Sequence, residues 1–191
     1  SPFYVTIAFA PYFIAEGVVW ANALVSMFTM FWNLCLLRTG PERMPTAPAF
    51  IATVLALDVA LDIAALVPLS GVSVAAISAI FATIATIAAV TCGMLSVKGF
   101  QARFAATFVA IIGSDVIITL VQLALLPIVL VLGQAALGVL LFASLLWALA
   151  VIGFIFQRTL EVGRGIGIAL GILLILVAAF IGIQVNPPPA A

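Results

Sequence analysis

Long apolar runs alternate with short polar breaks along this chain of 191 residues. Five such runs follow one another at about residues 49–67, 73–95, 103–131, 136–156 and 165–185. A helix needs about 20 apolar residues to cross the hydrocarbon core of a bilayer, and the runs reach or approach that length. The third is longer, and tilt or a kink at Pro127 can absorb the excess. We therefore predict an all-α polytopic membrane helix bundle with five transmembrane helices.

The segment before the first span, residues 1–48, has a different pattern. Between Val18 and Leu37 the polar residues recur at helical spacing, so they share one face of a helix: Asn22, Ser26, Thr29 and Asn33. This helix can lie in the cytoplasmic interface with its stripe toward lipid headgroups. Alternatively it spans the bilayer as a sixth helix, with the stripe against another helix. We prefer the interfacial placement and treat the stripe as a candidate partner-facing surface.

Positive charge occurs in every second break between the apolar runs. The Pro-rich elbow at 38–43 and the loops at 98–103 and 158–164 carry Lys or Arg, whereas the turns at 68–72 and 132–135 carry neither. Lys and Arg are retained on the cytoplasmic side of bacterial membranes. The pattern therefore predicts that the elbow and these two loops face the cytoplasm and that residues 49–185 form a five-helix bundle. An extended tail, 186–191, follows it on the outer side.

Composition agrees with a bilayer-embedded protein. The chain is 67% hydrophobic and 6% charged, with no net charge, whereas soluble domains carry roughly a quarter charged residues. Membrane lipids are therefore expected partners, and nothing indicates nucleic acid. Histidine is absent, and no Ser or Cys lies beside a plausible base. We assign no catalytic residue, cofactor or metal ligand, predict a non-enzyme, and expect Cys35 and Cys92 to be small packing residues.

Three carboxylates lie within the predicted spans. Asp58 and Asp62 stand at i and i+4, so both project from one helix face. At 1.5 Å per residue, Asp62 lies about 20 Å into the first span and Asp115 about 18 Å into the third. The two acids reach a similar depth if those helices are neighbours. No Lys, Arg or His in the sequence is placed at that depth to neutralise them.

The acids allow two interpretations. An ionisable residue within a span is a candidate functional site, here for a proton or a cation. Alternatively each acid is protonated and hydrogen-bonds a backbone carbonyl or one of two polar residues on the face of Asp115, namely Thr119 and Gln122. We prefer the second interpretation and keep all five residues as a candidate polar site: Asp58, Asp62, Asp115, Thr119 and Gln122.

The glycine-rich stretch at 163–171, GRGIGIALG, superficially matches a nucleotide-binding loop. Such a loop needs a preceding strand and a soluble βαβ unit, and neither is available. Gly167 and Gly171 instead form a small-xxx-small pair that predicts close helix packing. We expect the same of three other glycines, Gly93, Gly113 and Gly153, and we expect Trp147 to be a packing residue.

Three short motifs resemble a group of proteobacterial inner-membrane proteins that we associate with the Yip family of five-helix membrane proteins. The motifs are LLRTGPERMPTAP at 36–48, F-x-x-R-F-x-x-T-x-x-A-x-x-G-S-D from Phe100 to Asp115, and W-x-L-A-V-x-G from Trp147 to Gly153. The resemblance covers about Phe31 to Ile183. It implies an integral scaffold or trafficking-type protein without catalysis.

The expected role is therefore a non-catalytic membrane scaffold or accessory subunit that packs against other integral membrane proteins or against itself. Almost no polypeptide is predicted outside the bilayer, so the partner surface has to lie within it. The alternative is a small transporter or a proton- or cation-coupled protein that uses Asp58, Asp62 and Asp115. Five spans do not divide into the two equal repeats common in transporters.

Overall fold

The fold is described by a computed structural model over residues 25–69 and 71–187. These residues form helices and connections with no strand among them. The helices are α1 Val25–Cys35, α2 Pro48–Leu69, α3 Val74–Lys98, α4 Phe104–Leu132, α5 Gln134–Leu160 and α6 Arg164–Val185. Helices α2 to α6 are long and apolar enough to cross a membrane, so the predicted five-span helical bundle is confirmed.

Local signals set several of the helix ends. The Ser73 hydroxyl caps α3 by accepting a hydrogen bond from the Ala76 amide at 3.0 Å. Gly99 ends the same helix with a left-handed φ of 74°. Gly133 alone joins α4 to α5, at a φ of 93°. One predicted boundary is wrong, because α2 continues through Pro68 where a turn was expected.

Helix α4 is the centre of the bundle. Helix α2 packs chiefly on α4, α5 packs on α4 and α6, and α3 packs mainly on α6. From Thr107 to Thr119 every residue of α4 is buried except Asp115. Pro127 lies within α4 without ending the helix. Helices α2 and α4 are therefore neighbours. This is the condition under which Asp62 and Asp115 were expected to lie at a similar depth.

Glycines bring α5 and α6 into close contact. A Cβ atom added to Gly167 would lie 2.5 Å from the backbone oxygen of Gly153, and one added to Gly171 would lie 3.3 Å from the Gly153 nitrogen. Gly113 likewise leaves room for the aromatic ring of Phe31. Close packing at these four glycines is therefore confirmed. The same prediction is wrong for Gly93, because no atom of another helix in the described part of the chain lies within 4 Å of a Cβ atom added there.

The three basic segments meet at one end of the bundle, which we call the basic end. The Arg103 guanidinium pairs with Glu161 at 2.7 Å, and the Arg158 guanidinium pairs with Glu42 at 3.1 Å. These pairs connect the elbow, the α3–α4 loop and the end of α5. The prediction that the basic breaks share one side is confirmed.

The described helix α1 packs alongside the bundle rather than across its end. Its Phe31 ring packs on Gly113, about 14 Å along α4 from Phe104, and stacks with Phe50 at a centroid distance of 6.2 Å. The indole Nε1 of Trp147 donates to the Cys35 carbonyl at 2.9 Å. Trp147 is therefore a packing residue that also holds the end of α1.

Other parts of the predicted terminal segments lie outside the described residues. Residues 1–24, which include Asn22, and residues 188–191 of the expected tail are among them.

Of the two cysteines, Cys35 is buried, as a packing residue should be. Cys92 is exposed on the outer face of α3, so its predicted packing role is wrong.

Candidate functional site

The structure brings together the three acids of the predicted spans. Asp58 and Asp62 come from α2, and Asp115 comes from α4. One carboxylate oxygen from each residue lies within 4.8 Å of one from each of the others. We call these three residues the carboxylate cluster. Two adjacent turns of α2 supply two members because positions i and i+4 share a helix face.

The three acids of the cluster differ in their exposure. Asp58 is 2% exposed, Asp62 is partly buried and Asp115 is exposed. The residues of α4 on both sides of Asp115 are buried, so its exposure is local to this position. The cluster therefore lies between α2 and α4, with Asp58 as its buried member and Asp115 as its exposed member.

No cation of the chain neutralises the cluster. All six Lys and Arg residues lie in the elbow or in the loops and helix ends of the basic end: Arg38, Arg43, Lys98, Arg103, Arg158 and Arg164. Two unit charges 4.8 Å apart repel by about 3.5 kcal/mol at an effective dielectric constant of 20. Three ionised carboxylates at this spacing require a counter-charge, which can be a proton or a metal cation.

The two polar residues assigned to the same site lie nearby along α4. Thr119 is 7% exposed and Gln122 is partly buried. Among the hydrogen bonds that α4 makes in the described part of the chain, none joins these side chains to a carboxylate of the cluster. The structure brings the acids together without these two residues.

The polar stripe of α1 faces away from the bundle. Ser26 and Thr29 are exposed and Asn33 is partly exposed, whereas Phe31 and Leu34 on the other face are buried. The Thr29 hydroxyl donates to the Val25 carbonyl at 2.7 Å, and the Asn33 amide donates to the Thr29 carbonyl at 2.9 Å. The described helices of this chain leave the stripe uncovered.

Sequence reasoning missed a second polar assembly at the basic end. It used Arg103 and Arg158 only as markers of membrane side, yet their guanidinium groups pair with Glu161 and Glu42. Each pair joins residues more than 50 positions apart. The sequence does place an acid close to the arginines in two of the three basic segments, namely Glu42 in the elbow and Glu161 after α5. It does not show which arginine each acid contacts.

Fold and site together define a multi-pass membrane protein with an internal cluster of acids. A scan of family models and searches of curated proteins and of solved structures find no match to this chain.

Proposed function

We propose that the chain is an integral membrane protein that binds protons or a small metal cation at Asp58, Asp62 and Asp115. The observation that carries this proposal is the mutual approach of the three carboxylates to within 4.8 Å inside the span region. Each buried or half-buried ionised acid is costly in a bilayer, so three together require a compensating charge. Asp115 is the exposed member of the cluster, and in this proposal the compensating charge enters and leaves there.

The donor set favours hard cations. Carboxylate oxygens suit Ca²⁺, Mg²⁺ and Mn²⁺, and the cluster offers no sulfur or imidazole ligand. Ca²⁺ takes six to eight oxygen ligands, so three carboxylates need water to complete its shell. Protons require no such shell, and protonation of the carboxylates removes their mutual repulsion without a metal ion. The same cluster therefore serves proton coupling or cation binding, and direct titration separates the two.

Thermal unfolding of the purified chain in detergent tests the site. Raising the pH is expected to lower Tm of the native protein by several degrees, because the ionised carboxylates repel one another. If the site takes a metal ion, millimolar Ca²⁺ or Mg²⁺ restores Tm at high pH. Asp58→Asn, Asp62→Asn and Asp115→Asn combined should abolish both responses, since amides carry no charge.

Glu42→Gln is the matched control. It also removes one carboxylate, but at the basic end, and it breaks a half-exposed ion pair worth less than about 1 kcal/mol. Its Tm should keep the native dependence on pH and cations. Identical pH and cation responses in the native protein and the triple variant would contradict a proton or cation site at the cluster.

A second proposal is that the chain acts as an accessory subunit or scaffold beside other membrane proteins. It is supported by the uncovered polar stripe of α1, whose Ser26, Thr29 and Asn33 side chains face outward from an apolar bundle. Small polar residues on such a face suit helix–helix contact in lipid. Membership of the Yip family, a bacterial inner membrane and a periplasmic C-terminal side belong to the same proposal, and rest on the sequence motifs and charge pattern.

Native mass measurement in mild detergent tests the accessory role. We expect a species heavier than one chain, either a self-assembly or a complex with another membrane protein. Replacing Ser26, Thr29 and Asn33 together by Ala, Val and Leu should return it to a monomer, since the polar contacts are lost. Replacing exposed Phe142 and Leu146 of α5 by Ala controls for general surface changes. A native protein that is purely monomeric would contradict this role.

A further inference from the structure

A cavity of about 510 Å³ lies at the basic end, between the elbow, the start of α4 and the end of α5. This volume falls within the range of small-molecule sites, roughly 300–1,000 Å³. Its polar lining consists of Glu42, Arg103, Thr107, Arg158, Thr159 and Glu161. Because α4 begins and α5 ends here, the cavity lies where the spans leave the hydrocarbon, at the depth of lipid headgroups.

The lining carries two positive and two negative charges. Arg103 pairs with Glu161, and Arg158 pairs with Glu42. The paired side chains are 44% to 61% exposed, so each pair contributes little to stability and exchanges readily with a charged solute. A lone anion in the cavity would face two carboxylates, and a lone cation would face two guanidinium groups. A ligand with both charges can meet both.

Arg103 is held in position by contacts other than its carboxylate partner. One Arg103 nitrogen donates to the Thr159 carbonyl at 2.9 Å, and its guanidinium lies 4.4 Å from the Phe100 ring centroid. The Thr107 hydroxyl donates to the Arg103 carbonyl at 2.8 Å and lies 3.3 Å from the Thr159 hydroxyl. A guanidinium has five N–H donors, so Arg103 keeps donors for a phosphate after these contacts are made.

We propose that this cavity binds a zwitterion that carries a phosphate and a primary ammonium group. The phosphate accepts hydrogen bonds from Arg103 and Arg158, and the ammonium donates to Glu42 and Glu161. The phosphatidylethanolamine headgroup has this chemistry, and so does free phosphoethanolamine. Phosphatidylcholine has the same charges, but its quaternary ammonium has no N–H to donate, so it is the discriminating comparison.

Lipid retention by the full chain tests the proposal. The purified protein, stripped of lipid in mild detergent, is mixed with phosphatidylethanolamine, phosphatidylcholine or phosphatidylglycerol, and bound lipid is measured by native mass spectrometry. Phosphatidylethanolamine is expected to be retained several-fold over the other two. Glu42→Gln with Glu161→Gln should reverse the preference toward anionic phosphatidylglycerol, by about fivefold for each negative charge removed.

Two further variants complete the design. Arg158→Gln should weaken retention of phosphatidylethanolamine about fivefold. Lys98→Gln removes a cation from the same end outside the cavity lining, and should leave the lipid preference unchanged. Helix content by circular dichroism and elution volume select variants that are folded. Equal retention of phosphatidylethanolamine and phosphatidylcholine, or an unchanged preference in the double glutamine variant, would overturn the proposal.

Competition by free phosphoethanolamine distinguishes the two sources of the ligand. Displacement of the bound lipid at a similar concentration shows that the headgroup alone is recognised, and supports a soluble zwitterion. Retention of the lipid against a large excess of phosphoethanolamine shows that the acyl chains contribute, and supports the lipid. Either result is compatible with recognition of phosphate and ammonium together.

Discussion

Gly167→Ala is expected to leave the bundle about 1–3 kcal/mol less stable than Gly93→Ala. Both substitutions add one methyl group within a helix and gain the same helix propensity, so that gain cancels in the comparison. At Gly167 the new Cβ would lie 2.5 Å from the Gly153 carbonyl oxygen, a backbone atom that cannot move aside. Helices α5 and α6 must then separate along their contact, which is the overpacking cost. Unfolding by SDS titration measures the difference.

Gly93 is the control because none of the other described helices has an atom within 4 Å of a Cβ atom added at this position. Gly93→Ala should be neutral or should raise the free energy of unfolding by up to about 1 kcal/mol. Gly171→Ala should fall between the two, because its nearest backbone atom is 3.3 Å from the added Cβ. Equal stability of the Gly167 and Gly93 variants would show that α5 and α6 are not in backbone contact.

Phe31→Ala is expected to release the end of α1 from the bundle. The Phe31 ring is 1% exposed and fills the space that Gly113 leaves. Removing a buried Phe costs about 3–5 kcal/mol in a water-soluble core. Detergent is as apolar as the protein interior, so the transfer part of that cost is small. We expect Phe31→Ala to lose about 2 kcal/mol of packing energy. The state in which the end of α1 is detached from the bundle would then be roughly 30-fold more populated.

Thiol labelling of Cys35 reports the opening. In a Cys92→Ala background the only thiol is Cys35, which is 2% exposed. Its labelling rate by a maleimide should rise roughly 30-fold in Phe31→Ala. Phe28→Ala provides the control, because this ring is 45% exposed on the same helix and should leave the rate unchanged. Similar rates in the two Phe variants would contradict the packing of α1 described above.

The number of spans and the meeting of the basic segments at one end could be read from the sequence, because the bilayer imposes both. A helix must satisfy its own backbone groups in lipid, so each long apolar run forms one span. The cost of moving Arg or Lys across the hydrocarbon then gathers Arg103 and Arg158 at one end. Both rules act on a single segment at a time, and need no knowledge of its neighbours.

Helix neighbours were harder to predict. In water, polarity separates the outer face of a helix from its inner face, but lipid is as apolar as a protein interior. The sequence around Gly93 and Cys92 therefore looks like that around Gly113 and Cys35, although the first pair faces outward and the second faces inward. The approach of Asp115 to α2 follows only from the packing of α2 on α4.

The single-residue connection at Gly133 affects how soluble proteins can bind the connections between the helices. Val131 and Leu132 beside it are 87% and 68% exposed, and both are apolar, so the surface at this turn is apolar. A one-residue connection leaves a soluble protease or antibody little backbone to bind at this turn. The elbow and loops that carry Arg43, Lys98 and Arg158 are longer and charged, so among the described connections they are the better targets for such probes.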